Sequence, residues 1–135
     1  MGLEIHTDDK KNVCVRQLGY IQDILAHFDV KAGEFDDHPC ASQTMDSPKI
    51  DEPDADKTKF LSGIMKFLYL STRSRPDIAF AVSALASRSS RPKESDMKAM
   101  TRIARYLNRT QEEFLIFKYG GKIDISAYVD ASFVP

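Results

Sequence analysis

No apolar run in this 135-residue chain approaches the roughly 20 residues that a membrane-spanning helix needs, so the sequence offers no membrane segment. The N-terminus, Met1-Gly2-Leu3-Glu4-Ile5, lacks the basic start and apolar stretch of a signal peptide, which makes an intracellular location the expectation. Met-Gly also opens myristoylation signals, but Thr7 is the nearest hydroxyl and is not the sixth residue of that pattern. Only two cysteines occur, Cys14 and Cys40. They allow one disulfide by count, but free thiols in a reducing compartment fit the composition better. His6, His27, His38 and the cysteines show no short paired spacing of the zinc type. No Ser or Cys stands in a recognisable constellation with a His, no glycine loop of the phosphate-cradling kind occurs, and there is no internal repeat.

What is present is an ordinary globular composition, 42% hydrophobic and 29% charged, in a chain of one-domain size. Folding at this length buries about two thirds of the surface of the extended chain, enough for a real core. The net charge of -1 conceals a segregation. Residues 1–56 hold 5 Lys or Arg against 13 Asp or Glu, residues 57–110 hold 12 against 3, and residues 111–135 hold 2 against 4, giving -8, +9 and -2. Such asymmetry has two readings: a basic surface made for a polyanion, or an internal match between an acidic N-terminal part and a basic middle.

The patterning predicts an α+β chain. Leu3, Ile5, Val13 and Val15 alternate with polar residues on either side of a turn-like Thr7–Asn12 stretch, the signature of a β-hairpin. Leu18, Ile21, Ile24, Leu25 and Phe28 then fall at helical spacing. Residues 29–56, rich in Asp, Ser and Pro, read as an extended acidic connector whose default state is solvated. Its paired acids, Asp36-Asp37, like Asp8-Asp9 earlier, read as solvated turns.

Three helical patterns follow. Phe60, Leu61, Ile64, Phe67, Leu68 and Leu70 mark the first, and Pro76 opens the second ahead of Ile78, Ala81, Val82 and Leu85. Met97, Met100, Ala104 and Leu107 mark the third, which carries Lys98, Arg102, Arg105 and Arg109 at steps of four, three and four, a basic ridge along one face. Phe114–Phe117 and the alternating Ile123–Val129 stretch predict two strands joined at Gly120-Gly121. The expected organisation is a hairpin and helix over 1–35, an acidic connector over 36–56, a three-helix bundle over 57–110 and C-terminal strands over 111–135.

The run Leu68-Tyr69-Leu70-Ser71-Thr72-Arg73-Ser74-Arg75-Pro76-Asp77-Ile78-Ala79-Phe80-Ala81-Val82 resembles, almost letter for letter, the segment after the polymerase palm in copia-type LTR-retrotransposon reverse transcriptases. Arg105-Tyr106-Leu107-Asn108-Arg109-Thr110 is similar to the family's Arg-Tyr-Leu-Lys-Gly-Thr, and Tyr128-Val129-Asp130-Ala131-Ser132 resembles the start of its tethered ribonuclease H. Gly2-Leu3-Glu4-Ile5 and Gly19-Tyr20-Ile21 look like the strand and helix closing the palm, and Met45 falls where the family has Thr-Pro-Met. The resemblance thus covers essentially the whole chain, in order. Two departures stand out: Met65 occupies a position where the family often has Gly, so helix packing is expected to feel it, and Arg109 replaces a Gly.

The resemblance implies a piece of a Pol polyprotein, namely the thumb and connection of a reverse transcriptase running into the first strands of a truncated RNase H-like sheet. It implies an RNA or DNA template–primer duplex and the rest of the polyprotein as partners, with Arg73, Arg75, Lys98, Arg102, Arg105 and Arg109 as candidate phosphate contacts. Arg75, beside Pro76 and close to Asp77, has an equally weighted alternative, an internal pair fixing the helix junction. Phosphate contacts position without reading sequence, so binding is expected to be non-specific and salt-dependent. The family's metal chemistry uses Mg²⁺ held by several carboxylates. Here the family's paired polymerase Asp residues do not precede the thumb segment, and Asp130 stands alone as the first carboxylate of a ribonuclease H-type site. One carboxylate does not hold two hard cations against water, so the expectation is an isolated chain with no cofactor and no catalytic activity. The other functional reading is a domesticated remnant whose helices bind protein rather than nucleic acid.

Overall fold

The computed structural model describes residues 2–41, 51–120 and 126–127. Strands β1 (Glu4–Thr7) and β2 (Val13–Arg16) form the expected hairpin, with Ile5 opposite Val15 and Thr7 opposite Val13. Its turn is closed by the Asp8 carboxylate, which accepts from the Lys10 and Asn12 amides and the Asn12 side chain at 2.8–2.9 Å, while Lys11 takes a φ of 63°. Helix α1 (Leu18–His27) follows and buries Ile21, Ile24 and Leu25.

Helix α2 (Lys57–Arg73) begins at Asp56, whose side chain accepts from the Thr58 and Lys59 amides at 3.0 and 3.1 Å and so satisfies two otherwise orphan donors. A 3₁₀ turn, Pro76–Ile78, leads into α3 (Ala79–Ala86), and α4 (Glu94–Arg109) closes the helical part. Asp96, 1% exposed, caps α4 by accepting from the Lys93 amide at 2.9 Å and from Arg88 at 2.8 Å.

One core unites all four helices. Ile21 and Ile24 of α1, Phe60, Phe67 and Leu70 of α2, Val82 and Leu85 of α3, and Met100, Ile103 and Leu107 of α4 are all fully buried in it. Gly63 permits the closest approach: a Cβ there would lie 2.8 Å from Phe28 Cζ and 3.2 Å from Met100 Sδ. Met65, the departure expected to disturb packing, is 63% exposed. The packing glycine lies two positions earlier.

The first of the two expected C-terminal strands is present, and its pairing with the N-terminal hairpin was not anticipated from the sequence. Strand β3 (Leu115–Phe117) joins the free edge of β2, with Leu115 opposite Val15 and Phe117 opposite Val13, giving an antiparallel sheet in the order β1-β2-β3. An exposed strand edge is a row of unpaired amides and carbonyls, and the nearest strand-forming segment satisfies it. Arg16 ties the corner together, bonding Glu4 at 2.8 Å and Glu112 at 2.6 Å and lying 4.6 Å over the Phe114 ring. The strand expected at Ile123–Val129 falls mostly outside the described residues. Cys14, buried in β2, and Cys40 are free thiols, and no described helix is long and apolar enough to cross a membrane.

Candidate nucleic-acid interface

Helix α4 divides cleanly. At 3.6 residues per turn, Lys98, Arg102, Arg105 and Arg109 fall within roughly 60° of one another, and Met100, Ile103, Ala104 and Leu107 lie opposite them. The second group is fully buried. The core therefore holds the helix in the one rotation that turns its basic ridge outward.

The ridge does not stand free. Arg102 Nη2 lies 3.5 Å from the Asp36 carboxylate, Arg105 Nη2 lies 3.6 Å from Glu34, and Arg109 Nη1 bonds Asp37. The arginine side chains remain 37%, 42% and 56% exposed, so these are surface pairs. Each is worth about 0–1 kcal/mol and weakens with salt. Arg105 Nε is buried with no hydrogen-bond partner, so the pairing leaves a donor unused. Lys98 is exposed and makes no ion pair among the described residues.

The acidic connector is thus corrected from a solvated linker to a bonded one at both described ends. Asn108, 7% exposed on α4, donates its side-chain amide to the carbonyls of Lys31 at 3.1 Å and Glu34 at 3.0 Å. At the other end Asp54 accepts from Lys93 at 2.6 Å and pairs with Arg91 at 3.0 Å, while the Glu52 carboxylate accepts from the Ser95 amide at 2.6 Å and its hydroxyl at 2.9 Å. Among the described residues, Arg91, Lys93, Arg102, Arg105 and Arg109 of the basic segment pair with Asp54, Asp36, Glu34 and Asp37 of the acidic one, so charge segregation along the chain is in part an internal match in three dimensions. Sequence reasoning named the ridge but missed Glu34, Asp36, Asp37 and Asn108, which are separated from their partners by 66 to 77 positions. No local pattern reports such a pairing.

Arg75 leaves the interface altogether. Its side chain is 4% exposed, grips Asp77 at 2.6 and 2.9 Å, and donates to the Thr110 carbonyl at 3.0 Å and hydroxyl at 2.6 Å. Its guanidinium lies 5.5 Å from the Tyr106 ring centroid, and the Tyr106 hydroxyl donates to Asp77 at 2.8 Å. All three guanidinium nitrogens donate within the junction, so the alternative reading, an internal pair at the helix junction, is the one realised. Burial pushes the Asp77 carboxyl up, but the Arg75 bonds and charge and the Tyr106 hydroxyl more than offset this and hold it below the ordinary carboxylate value. Arg73, at the end of α2, is exposed with its guanidinium 5.6 Å from the Tyr69 ring.

Asp130 lies outside the described residues. Among the described residues no three His, Cys, Asp or Glu side chains converge, so they offer no donor set for the Mg²⁺ that the resemblance implies.

Comparison with known proteins gives the lineage. The chain is 25% identical over 136 residues to a transposon Ty5-1 protein of Saccharomyces cerevisiae, an alignment covering 98% of this chain and 43% of that one. It is 31% identical over 119 residues to the retrovirus-related Pol polyprotein from transposon RE1 of Arabidopsis thaliana, covering 85% of this chain and 8% of the polyprotein. A secreted RxLR effector protein of Plasmopara viticola is 36% identical over 72 residues, 53% of this chain and 51% of its own length. No protein-family model and no solved structure matches. The chain spans about half or less of each of these relatives, and its alignment to transposon proteins runs over most of its own length: it belongs to the Pol polyproteins of copia-type retrotransposons.

Proposed function

We propose that the chain supplies a thumb-like helical unit of a reverse transcriptase, with the basic ridge of α4 lying along the phosphate backbone of a template–primer duplex. The observation that carries this reading is the coincidence of Lys98, Arg102, Arg105 and Arg109 on the solvent side of a helix whose opposite side is fully buried. A packed helix presents its cations at fixed spacing, and B-form DNA offers one phosphate charge per about 1.7 Å of axis. Arg73 is a further candidate contact. Arg75 instead acts as a positioning residue that fixes the junction between α2 and α4. Binding is expected to be independent of sequence, because phosphates carry no base information.

The test is titration of a labelled primer–template duplex at 20 and 200 mM salt. Wild-type chain is expected to bind at low salt and lose affinity steeply as salt rises, and R102E/R105E is expected to lose binding at both. Absence of binding at low salt by the wild-type chain removes the reading.

A second reading has its own observation. Leu61, Met65 and Tyr69 lie four positions apart along α2 and remain 38%, 63% and 42% exposed, an apolar stripe suited to a protein partner. A chain that binds no duplex while M65E abolishes association with the remainder of a Pol polyprotein favours this interaction module instead.

A further inference from the structure

We propose that residues 31–37 form a displaceable acidic strap that occupies the α4 ridge in the free chain and competes with the nucleic-acid backbone for the same arginines. This inference rests on the duplex-binding reading of that ridge. Three carboxylates in a span of four residues, Glu34, Asp36 and Asp37, reach Arg105, Arg102 and Arg109, the three successive arginines of the ridge. A run of closely spaced anions meeting a row of guanidinium groups has the charge pattern of a nucleic-acid strand.

The backbone of the strap is built to be held and to be released. Its turn is local: the Glu34 amide donates to the Lys31 carbonyl at 3.0 Å, the Lys31 amide donates to the Glu34 carboxylate at 3.0 Å, and Gly33 takes a φ of 94° that a side chain would resist. Among the described residues, the α4 side chain that hydrogen-bonds strap backbone is Asn108, through the Lys31 and Glu34 carbonyls. The apolar core closes without the strap, since Glu34, Asp36 and Asp37 contribute no residue to it and Phe35 is 53% exposed. Two of the three ion pairs sit at 3.5 and 3.6 Å, long for charge-assisted hydrogen bonds, and all three are open to solvent and salt. Covalent connection keeps the carboxylates close at a high effective concentration, which makes weak pairs an adequate competitor against non-specific contacts. A duplex must displace them to gain all three arginines, so the strap raises the threshold for binding isolated or short nucleic acid while yielding to an extended backbone.

The experiment compares three full-length chains in the duplex titration: wild type, the strap variant E34Q/D36N/D37N, and D9N/D51N/E113Q, which removes the same charge from exposed positions off the ridge. The strap variant is expected to bind at least about tenfold more tightly than the charge-matched control at 50 mM salt. Its salt slope should steepen by about 0.9 for each arginine that newly reaches a phosphate. Equal gains in the two triple variants overturn the strap while leaving the ridge reading intact, provided R102E/R105E still abolishes binding. No binding by any of the chains at low salt overturns both. If the strap variant fails to fold, the Asn108 side-chain amide of the wild-type chain decides instead: saturation with duplex is expected to shift its NMR signals as it loses the Lys31 and Glu34 carbonyls, and unchanged signals mean that the strap is not displaced.

Discussion

The two sides of α4 come from the same sixteen residues and obey different physics. On the inner side Met100, Ile103, Ala104 and Leu107 are sealed against α1, α2 and α3, where each buried methylene contributes about 0.8 kcal/mol and contacts are insensitive to salt. On the outer side the arginines meet carboxylates in water, where an ion pair is nearly cost-free to exchange for another. The inner side decides that the helix exists and how it is turned. The outer side decides what the helix meets, and it can change partners without loss of the fold. Arg75 combines features of both, a charge used as though it were core.

The comparison breaks first at Leu107. Truncation of this fully buried side chain to alanine is expected to cost about 3 kcal/mol, read as a lower urea midpoint with an unchanged slope, and a loss under about 1 kcal/mol would show the core side to be loosely packed.

Arg75→Ala comes next, with an expected cost of about 3 kcal/mol, the low end for a broken buried pair because Asp77 stays 37% exposed and can rehydrate. The same cluster gives a pH signature. The Asp77 carboxyl is held below its ordinary value in the folded chain, so its contribution is complete well above the unfolded pKa and is lost as pH falls through the folded one. Stability of wild type relative to D77N is therefore expected to be constant above about pH 5 and to shrink on further acidification. Parallel acid profiles for the two chains would remove Asp77 from the account.

Arg102→Ala marks the small end of the range. Loss of its exposed pair with Asp36 is expected to change stability by less than about 1 kcal/mol while weakening duplex binding, so that the same helix yields a stability mutant on one side and a binding mutant on the other. A cost comparable to that of Leu107→Ala would make the ridge part of the structural framework.

Much of the fold was legible because it is written in periodicity. The hairpin, α1, α2, the proline-led turn into α3, and α4 with its ridge all follow from apolar spacing or from Pro76, and the observed elements sit within a few residues of those expectations. The failures share a different character. That Gly63 rather than position 65 governs helix approach and that Glu34, Asp36 and Asp37 sit on α4 are facts about residues brought together from far along the chain, as is the unanticipated pairing of β3 with β2. The candidate site was half legible: four of its six basic residues lie on one helix and were found by spacing, but the carboxylates that temper them were invisible.

What the amino-acid order determined alone was the set of elements and the segregation of acid from base, because helical and strand periodicity and local charge are properties of neighbours. The tertiary structure decided whether the positive segment faces a partner or its own acidic connector, and whether a given arginine is a contact or a strut. Those outcomes depend on which distant groups share a surface and how much water remains around them, since a guanidinium held in a dry junction cannot be exchanged and one at a wet surface can.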